Sequence, residues 1–352
     1  MEHSFSKEDT YCLKNTAIIL MIIHHMFSFY NRLEEGIIYQ AYLKWNNIYI
    51  IHIIARSGKL CVAIFLFLSG YGTYLQYKQF GGVWQFYFNK IKKVYIMYWI
   101  SLLVFVPIRL LINHETTTFY EVVNNLCGIE FTFNGEIWFI RPFVICMVLF
   151  PILVKMIDNK YDNILIDFFI VITIDVLAKD VLLNIRGLQF FSLYAESRYA
   201  NWSREVLLYF SSFLMGSMFA KHDLLSKCKR YILEKNKYYR IFLGSICVWF
   251  SLYYQFFCGE NYMYLISLGF IYGIIMIFAQ NSILKRIFVY CGKRSTFMWL
   301  VHSYFCYYCF QKYIYALKID ILVFLICYLS SLLASIFLEK LLNLLEKWIV
   351  KN

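Results

Sequence analysis

Long apolar runs separated by short polar, mostly basic segments set the rhythm of this chain from one end to the other. A membrane-crossing helix needs roughly 20 predominantly apolar residues. Ten stretches fit: 12–30, 58–77, 94–113, 136–156, 163–183, 205–220, 241–257, 262–279, 296–315 and 320–340. The rhythm predicts an all-α fold, a polytopic membrane helix bundle of about ten transmembrane helices. The stretch 37–54 is apolar and aromatic, yet Lys44, Asn46, Asn47 and His52 interrupt it, so it reads as an interfacial or re-entrant piece. No long polar, Pro/Ser-rich or acidic stretch parts two halves, and no internal repeat is visible. Residues 1–352 therefore read as one membrane-embedded domain without a soluble appendage, and any chemistry falls to the membrane helices themselves.

Composition agrees with that picture. The 352 residues are 61% hydrophobic and only 16% charged, where a soluble chain carries about 25% charged residues. The net charge of +12 would suit a nucleic-acid partner in a soluble protein, but no basic helix or zinc spacing supports one. In a membrane protein lysine and arginine gather in cytoplasmic loops. With the N-terminus in the cytoplasm, most of the 34 basic residues fall on the inner side, including Lys90, Lys92 and Lys93, then Lys227, Lys229 and Arg230, then Lys293 and Arg294. Both termini are thus expected to be cytoplasmic. Residues 1–13 are mixed in charge and no small-residue cleavage site follows, so the first apolar run reads as a retained span. Most of the eleven cysteines sit in apolar runs, and the Cys306-x-x-Cys309 pair reads as small buried residues within an aromatic segment.

The first span carries the candidate chemistry. Lys14 opens it, and His24 and His25 lie inside. Ionisable groups at membrane depth are costly and mark function. Lys14 and His25 are eleven residues apart, which puts them on nearly one helical face, roughly 16 Å apart along the axis. His24 points away from that line by roughly a quarter turn. Elsewhere, Asp167 and Asp175 interrupt the fifth span, marking a polar cavity or a misplaced boundary, and Arg141 either binds an anion or snorkels to the outer surface.

Four segments, taken in order, resemble the integral-membrane acyltransferase family 3, which includes bacterial O-acetyltransferases of surface polysaccharides. Lys14, ten residues and His25 match the family's first-helix pattern of Arg, ten residues and His, with Lys in place of Arg. Gly58 to Tyr71, containing Phe65, Phe67, Ser69 and Gly70, is similar to the Phe-Phe-x-x-Ser-Gly segment. Lys90 to Trp99 resembles the basic loop leading into an aromatic third span, and Cys291 to His302 resembles the late Gly-x-x-Ser segment that ends in His. One departure stands out. Trp138 and Pro151 keep the outer markers of a Trp-Ser-Leu segment, but Phe143 holds the position expected for Glu, and the nearest acid is Glu136.

The resemblance implies a membrane O-acyltransferase that moves an acyl group from acyl-CoA, most simply acetyl-CoA, to a sugar hydroxyl of a surface polysaccharide or its lipid-linked precursor. It implies His25 as general base, acyl-CoA held by Lys14, Ser69, Lys92 and Lys93, and His24, Trp138, Arg141 and His302 serving the acceptor or supporting the base. It calls for no bound cofactor and no metal, and it places the protein in a bacterial cytoplasmic membrane. A transacylating route through an acyl-histidine competes with direct transfer. The competing class is a transporter or flippase for a lipid-linked glycan, although such proteins often show inverted repeats and Gly/Pro-broken helices.

Overall fold

The computed structural model describes residues 4–37, 39, 41, 44–45, 48–81, 84–158, 161–187, 198–280 and 282–351. In chain order the helices are α1 (Lys7–Phe27), α2 (Ile50–Ser57), α3 (Leu60–Phe80), α4 (Trp84–Asn113), α5 (Phe119–Cys127), α6 (Ile140–Ile157), α7 (Ile164–Gly187), α8 (Arg198–Lys221), α9 (Leu224–Leu233), α10 (Lys237–Cys258), α11 (Met263–Ile277), α12 (Ile283–Gly292), α13 (Ser295–Ser303), α14 (Gln311–Tyr315) and α15 (Asp320–Lys351). Short tight turns at Tyr30–Arg32 and Gly135–Ile137 lie between them, and a π-helical turn spans Tyr304–Tyr308. Extended pairing among the described residues is confined to a two-residue ladder, Lys44–Trp45 against Ile48–Tyr49. The fold is all-α.

Among the described residues five helical segments are long and apolar enough to cross a bilayer: Ile50–Phe80, Trp84–Asn113, Gly135–Ile157, Lys237–Cys258 and Asp320–Lys347. The first corrects the reading of 37–54 at its C-terminal end. Residues 50–54 belong to a helix that continues into α3, since His52 and Arg56 are the only strongly polar residues between Ile50 and Ser57. Asn46 and Asn47 lie outside the described residues. The expected span 296–315 is not one helix either. After α13 the amides of Cys309 and Phe310 both reach back to Tyr304 O, at 2.9 and 3.3 Å, and the chain widens into the π turn before α14. Such turns recur at functional sites. α11 is apolar but only 15 residues long.

By its contacts the chain forms two compact units, each drawn from three separated segments. One comprises Met1–Thr10, Val62–Asn89 and Phe139–Asn281, the other Tyr11–Cys61, Lys90–Trp138 and Ser282–Asn352. The first unit is built on close helix contacts. A Cβ added at Gly70 on α3 would lie 1.9 Å from Phe213 O, and one at Gly216 on α8 would lie 2.0 Å from Phe67 O. The two backbones touch, as small residues permit inside membranes. This unit also pairs its buried charges. Asp167 meets both Lys221 and His222 at 2.7 Å. Asp175 accepts from Lys179 at 2.5 Å and Ser211 at 2.8 Å, and Lys229 meets Asp9 at 2.6 Å. These pairs explain why α7 carries a weak apolar signal: its acids sit inside the fold with partners, because an unpaired buried ion costs several kcal/mol.

Cys306 and Cys309 are both buried. The α3–α8 contact gives a stability prediction. Gly216→Leu should destabilise by about 1–3 kcal/mol, the usual cost of overpacking, and lower the melting temperature in detergent. Gly72→Ala should not, because nothing lies within 4 Å of a Cβ there.

Candidate active site

The second unit gathers polar groups around the C-terminal end of α1. The last carbonyls of a helix have no partner within it, and here other elements supply them. Tyr307 donates its hydroxyl to His25 O, Tyr315 donates to Met26 O at 2.6 Å, and His52 Nδ1 lies 3.2 Å from Phe27 O. The start of the helix within this unit is fixed by a close approach. A Cβ at Gly292, at the end of α12, would lie 1.9 Å from Tyr11 O. Farther along, Tyr328 on α15 donates to Asn15 Oδ1 at 2.7 Å. These contacts set the depth and rotation of α1, and with them the direction of its histidines.

His25 is buried, with 7% exposure. Its Nδ1 lies 2.6 Å from Nε2 of His302, and the two ring planes are 15° apart. Nδ1 of His302 lies 2.7 Å from Trp299 O. A carbonyl accepts and never donates, so Nδ1 of His302 carries a hydrogen. On its other side His25 presents Nε2 to Glu136 Oε2 at 3.1 Å. The Arg32 guanidinium donates to Glu136 Oε1. The result is a continuous line: Trp299 carbonyl, His302, His25, Glu136, Arg32.

The turn that carries Glu136 is held from two sides. Asn134 accepts from the Glu136 amide at 3.2 Å and from the Ser303 hydroxyl at 2.8 Å, and donates to Leu300 O at 3.1 Å. Trp299 Nε1 donates to Glu136 O at 3.3 Å. Arg32 lies over the rings of Phe29 and Tyr307, at 4.8 and 5.1 Å, while its main-chain carbonyl accepts from Gln311 at 2.9 Å. Burial alone would lower the Arg32 guanidinium pKa, but the Glu136 carboxylate outweighs it and raises the value above the ordinary one. The facing imidazole nitrogens are too close to share an ion, since a zinc ion needs about 2.0–2.1 Å to each nitrogen. Among the described residues no group of three or more His, Cys, Asp or Glu forms a metal-binding set.

Of the expected site residues, the structure brings His25 and His302 together. His24 turns away, as helical phase predicts. Its Nδ1 sits 2.8 Å from Ala55 O and 3.1 Å from the Ser28 hydroxyl, so it ties α1 to α2. Lys14 belongs to a different cluster of this unit, where it interacts repulsively with Lys93 and with Lys90. Lys92 and Lys93 are exposed. Trp138 ends the Gly135–Ile137 turn and is half-buried.

Ser69 and Arg141 fall in the first unit. The Ser69 hydroxyl donates to Phe65 O at 2.8 Å within its own helix. Arg141 is paired with Glu205 at 3.2 Å and lies over Trp202 at 5.1 Å. Arg32, Asn134, Tyr307 and Gln311 were not anticipated, and Glu136 was noticed only as the nearest acid. An Asn-Gly-Glu turn directly before an apolar span, together with an arginine just beyond the first span, was the available signal.

A family model described as an acyltransferase domain matches residues 12–340, nearly the whole chain. No curated protein and no solved structure matches it.

The His25–His302 bond makes a graded prediction. His302→Ala leaves a buried Nδ1 donor of His25 without an acceptor, which costs about 1–3 kcal/mol. His302→Gln restores an amide acceptor. Melting in detergent should show a clear drop for the alanine variant and less than half of that drop for the glutamine variant.

Proposed function

The chain belongs to the acyltransferase 3 family, and on that premise we propose that it is a multi-pass membrane O-acyltransferase. It moves an acyl group, most simply acetyl, from cytoplasmic acyl-CoA to a sugar hydroxyl of a cell-surface polysaccharide or its lipid-linked precursor. In this reading about ten helices cross a bacterial cytoplasmic membrane, with both termini in the cytoplasm.

The observation that carries the reading is the buried His25, held through Nδ1 by His302 so that Nε2 faces the other way, toward Glu136. A sugar hydroxyl is a weak nucleophile until its proton is taken, and histidine is the side chain suited to that near neutral pH. His25 Nε2 takes the hydroxyl proton as the oxygen attacks the thioester carbonyl. The C–S bond then breaks, and the departing thiolate takes that proton from Nε2. The acceptor gains the acyl group and free CoA leaves as its thiol.

The donor end is supported by the lysine cluster. Lys14 is repelled by both Lys90 and Lys93, and a phosphate held by these lysine point charges relieves such repulsion. Lys92 adds an exposed charge beside them. From Lys14 to His25 is roughly 16 Å of helix, a distance the long thin pantetheine arm of CoA spans. Trp138, His302 and His24 keep supporting roles in this reading, with His24 acting through the packing of α1.

Purified protein with labelled acetyl-CoA and envelope glycan tests it. A folded His25→Ala variant should lose transfer by about 10²–10⁴-fold, and an unchanged rate would sink the base assignment. Lys14→Ala should raise the KM for acyl-CoA and leave the acceptor KM alone. An equal rise in both would argue against a phosphate contact.

A further inference from the structure

The line from Trp299 to Glu136 contains three contacts, and each needs one hydrogen. Trp299 O meets His302 Nδ1, His302 Nε2 meets His25 Nδ1, and His25 Nε2 meets Glu136 Oε2. Two neutral imidazoles bring two hydrogens. With only two, one contact would press lone pair against lone pair in a buried site, at 2.6 to 3.1 Å. The line therefore holds one extra proton, which offsets the Glu136 charge. Wherever that proton resides, His25 Nε2 has no open lone pair while Glu136 is in place. Nε2 is nevertheless the nitrogen the proposed transfer requires.

Glu136 is built to leave. Its main chain is pinned by Asn134 and Trp299, but among the described residues its carboxylate contacts His25 and Arg32. The Arg32 side chain is 44% exposed, whereas that of Glu136 is 9% exposed, so the arginine marks the open side of the cluster. The charged and titratable groups around His25 are His24 on its own helix, Arg32 on the following turn, Glu136, His302 and Tyr307.

We propose that Glu136 is a positioning residue that stores a proton and gates the base. It occupies the place of the acceptor hydroxyl at His25 Nε2 and vacates it by carrying the Nε2 proton away as a carboxylic acid. The neutral acid has lost its attraction for Arg32 as well as for the imidazole, so it swings toward the exposed side and frees both. The acceptor hydroxyl enters the vacated position and gives its proton to Nε2. The thiolate collects that proton as the C–S bond breaks. Glu136 then returns with its stored proton and closes the line. The enzyme gains no proton over the cycle, and the hydroxyl hydrogen ends on CoA. The gate favours a sugar that displaces Glu136 over a water molecule that would hydrolyse the acyl-CoA.

This inference rests on the acyltransferase reading, and the test separates the two. CoA release is measured for the full-length protein with acetyl-CoA alone and with acceptor glycan present, for wild type, Glu136→Ala and Arg32→Gln. The wild type should transfer efficiently and hydrolyse slowly. Glu136→Ala should raise the ratio of hydrolysis to transfer at least tenfold and lower the acceptor KM, while kcat for transfer falls. Arg32→Gln, which weakens the latch and leaves the carboxylate, should move the ratio the same way by less, and it decides the matter if the alanine variant does not fold. If hydrolysis and transfer fall together in the folded variants, with the ratio and acceptor KM unmoved, Glu136 is merely structural and the gate is wrong. If the wild type releases no CoA under either condition, the acyltransferase reading fails and the gate with it.

Discussion

The hydrogen bond between His25 and His302 is the constraint that the second unit is organised to satisfy. Two imidazole nitrogens 2.6 Å apart in a buried setting tolerate little error, because a buried donor left unpaired costs about 1–3 kcal/mol. Each ring must therefore present the correct nitrogen. The Trp299 carbonyl does this for His302. For His25 the task falls to the position of α1, held by its contact with Gly292 at one end and by the hydroxyls of Tyr307 and Tyr315 at the other. The π turn at Tyr304–Tyr308 follows the same logic, since it lies directly after α13 and brings Tyr307 to the His25 carbonyl.

The first unit obeys the same rule with a different outcome. There each prominent buried acid is matched within the unit: Asp167 by Lys221 and His222, Asp175 by Lys179 and Ser211, Asp9 by Lys229. Such closed sets neutralise charge and fix helix positions. The second unit instead gathers like charges at Lys14, Lys90 and Lys93, and elsewhere builds a line that shares one proton among three ionisable side chains. Repelling cations and a shared proton are arrangements that a substrate or a reaction can change. Matched pairs are not, which is why the chemistry is assigned to the second unit.

How much of this was legible depends on whether a feature is local. The expected spans 94–113, 241–257 and 320–340 lie within α4, α10 and α15, because apolar length is written directly in consecutive residues. His25 was separable from His24 because helical phase is local too. The break in 296–315 was not legible. Tyr304 to Phe310 is an aromatic run that suits an uninterrupted helix equally well, and the π turn is set by partners such as His25 O that lie far off in sequence. The pairing of Arg141 with Glu205 was not legible either, because the two are 64 residues apart. Glu136 was visible as an acid at the start of an apolar run, but its meeting with His25 bridges 111 positions of chain, which no spacing rule reaches.

The departure at Phe143 and the presence of Glu136 bear on each other. Seven residues separate the two positions, about 10 Å of helix, so Glu136 is no simple slide of a carboxylate along the same span. A carboxylate on the regular face of a helix is anchored by the helix itself. Glu136 instead stands on a tight three-residue turn at the helix entrance, with its carboxylate shared between a buried imidazole and a partly exposed guanidinium. That placement trades rigidity for travel. It also makes Arg32 part of the requirement, since a buried carboxylate is costly unless a cation lies against it. A change at Arg32 therefore acts on His25 without touching it, through the carboxylate that contacts both.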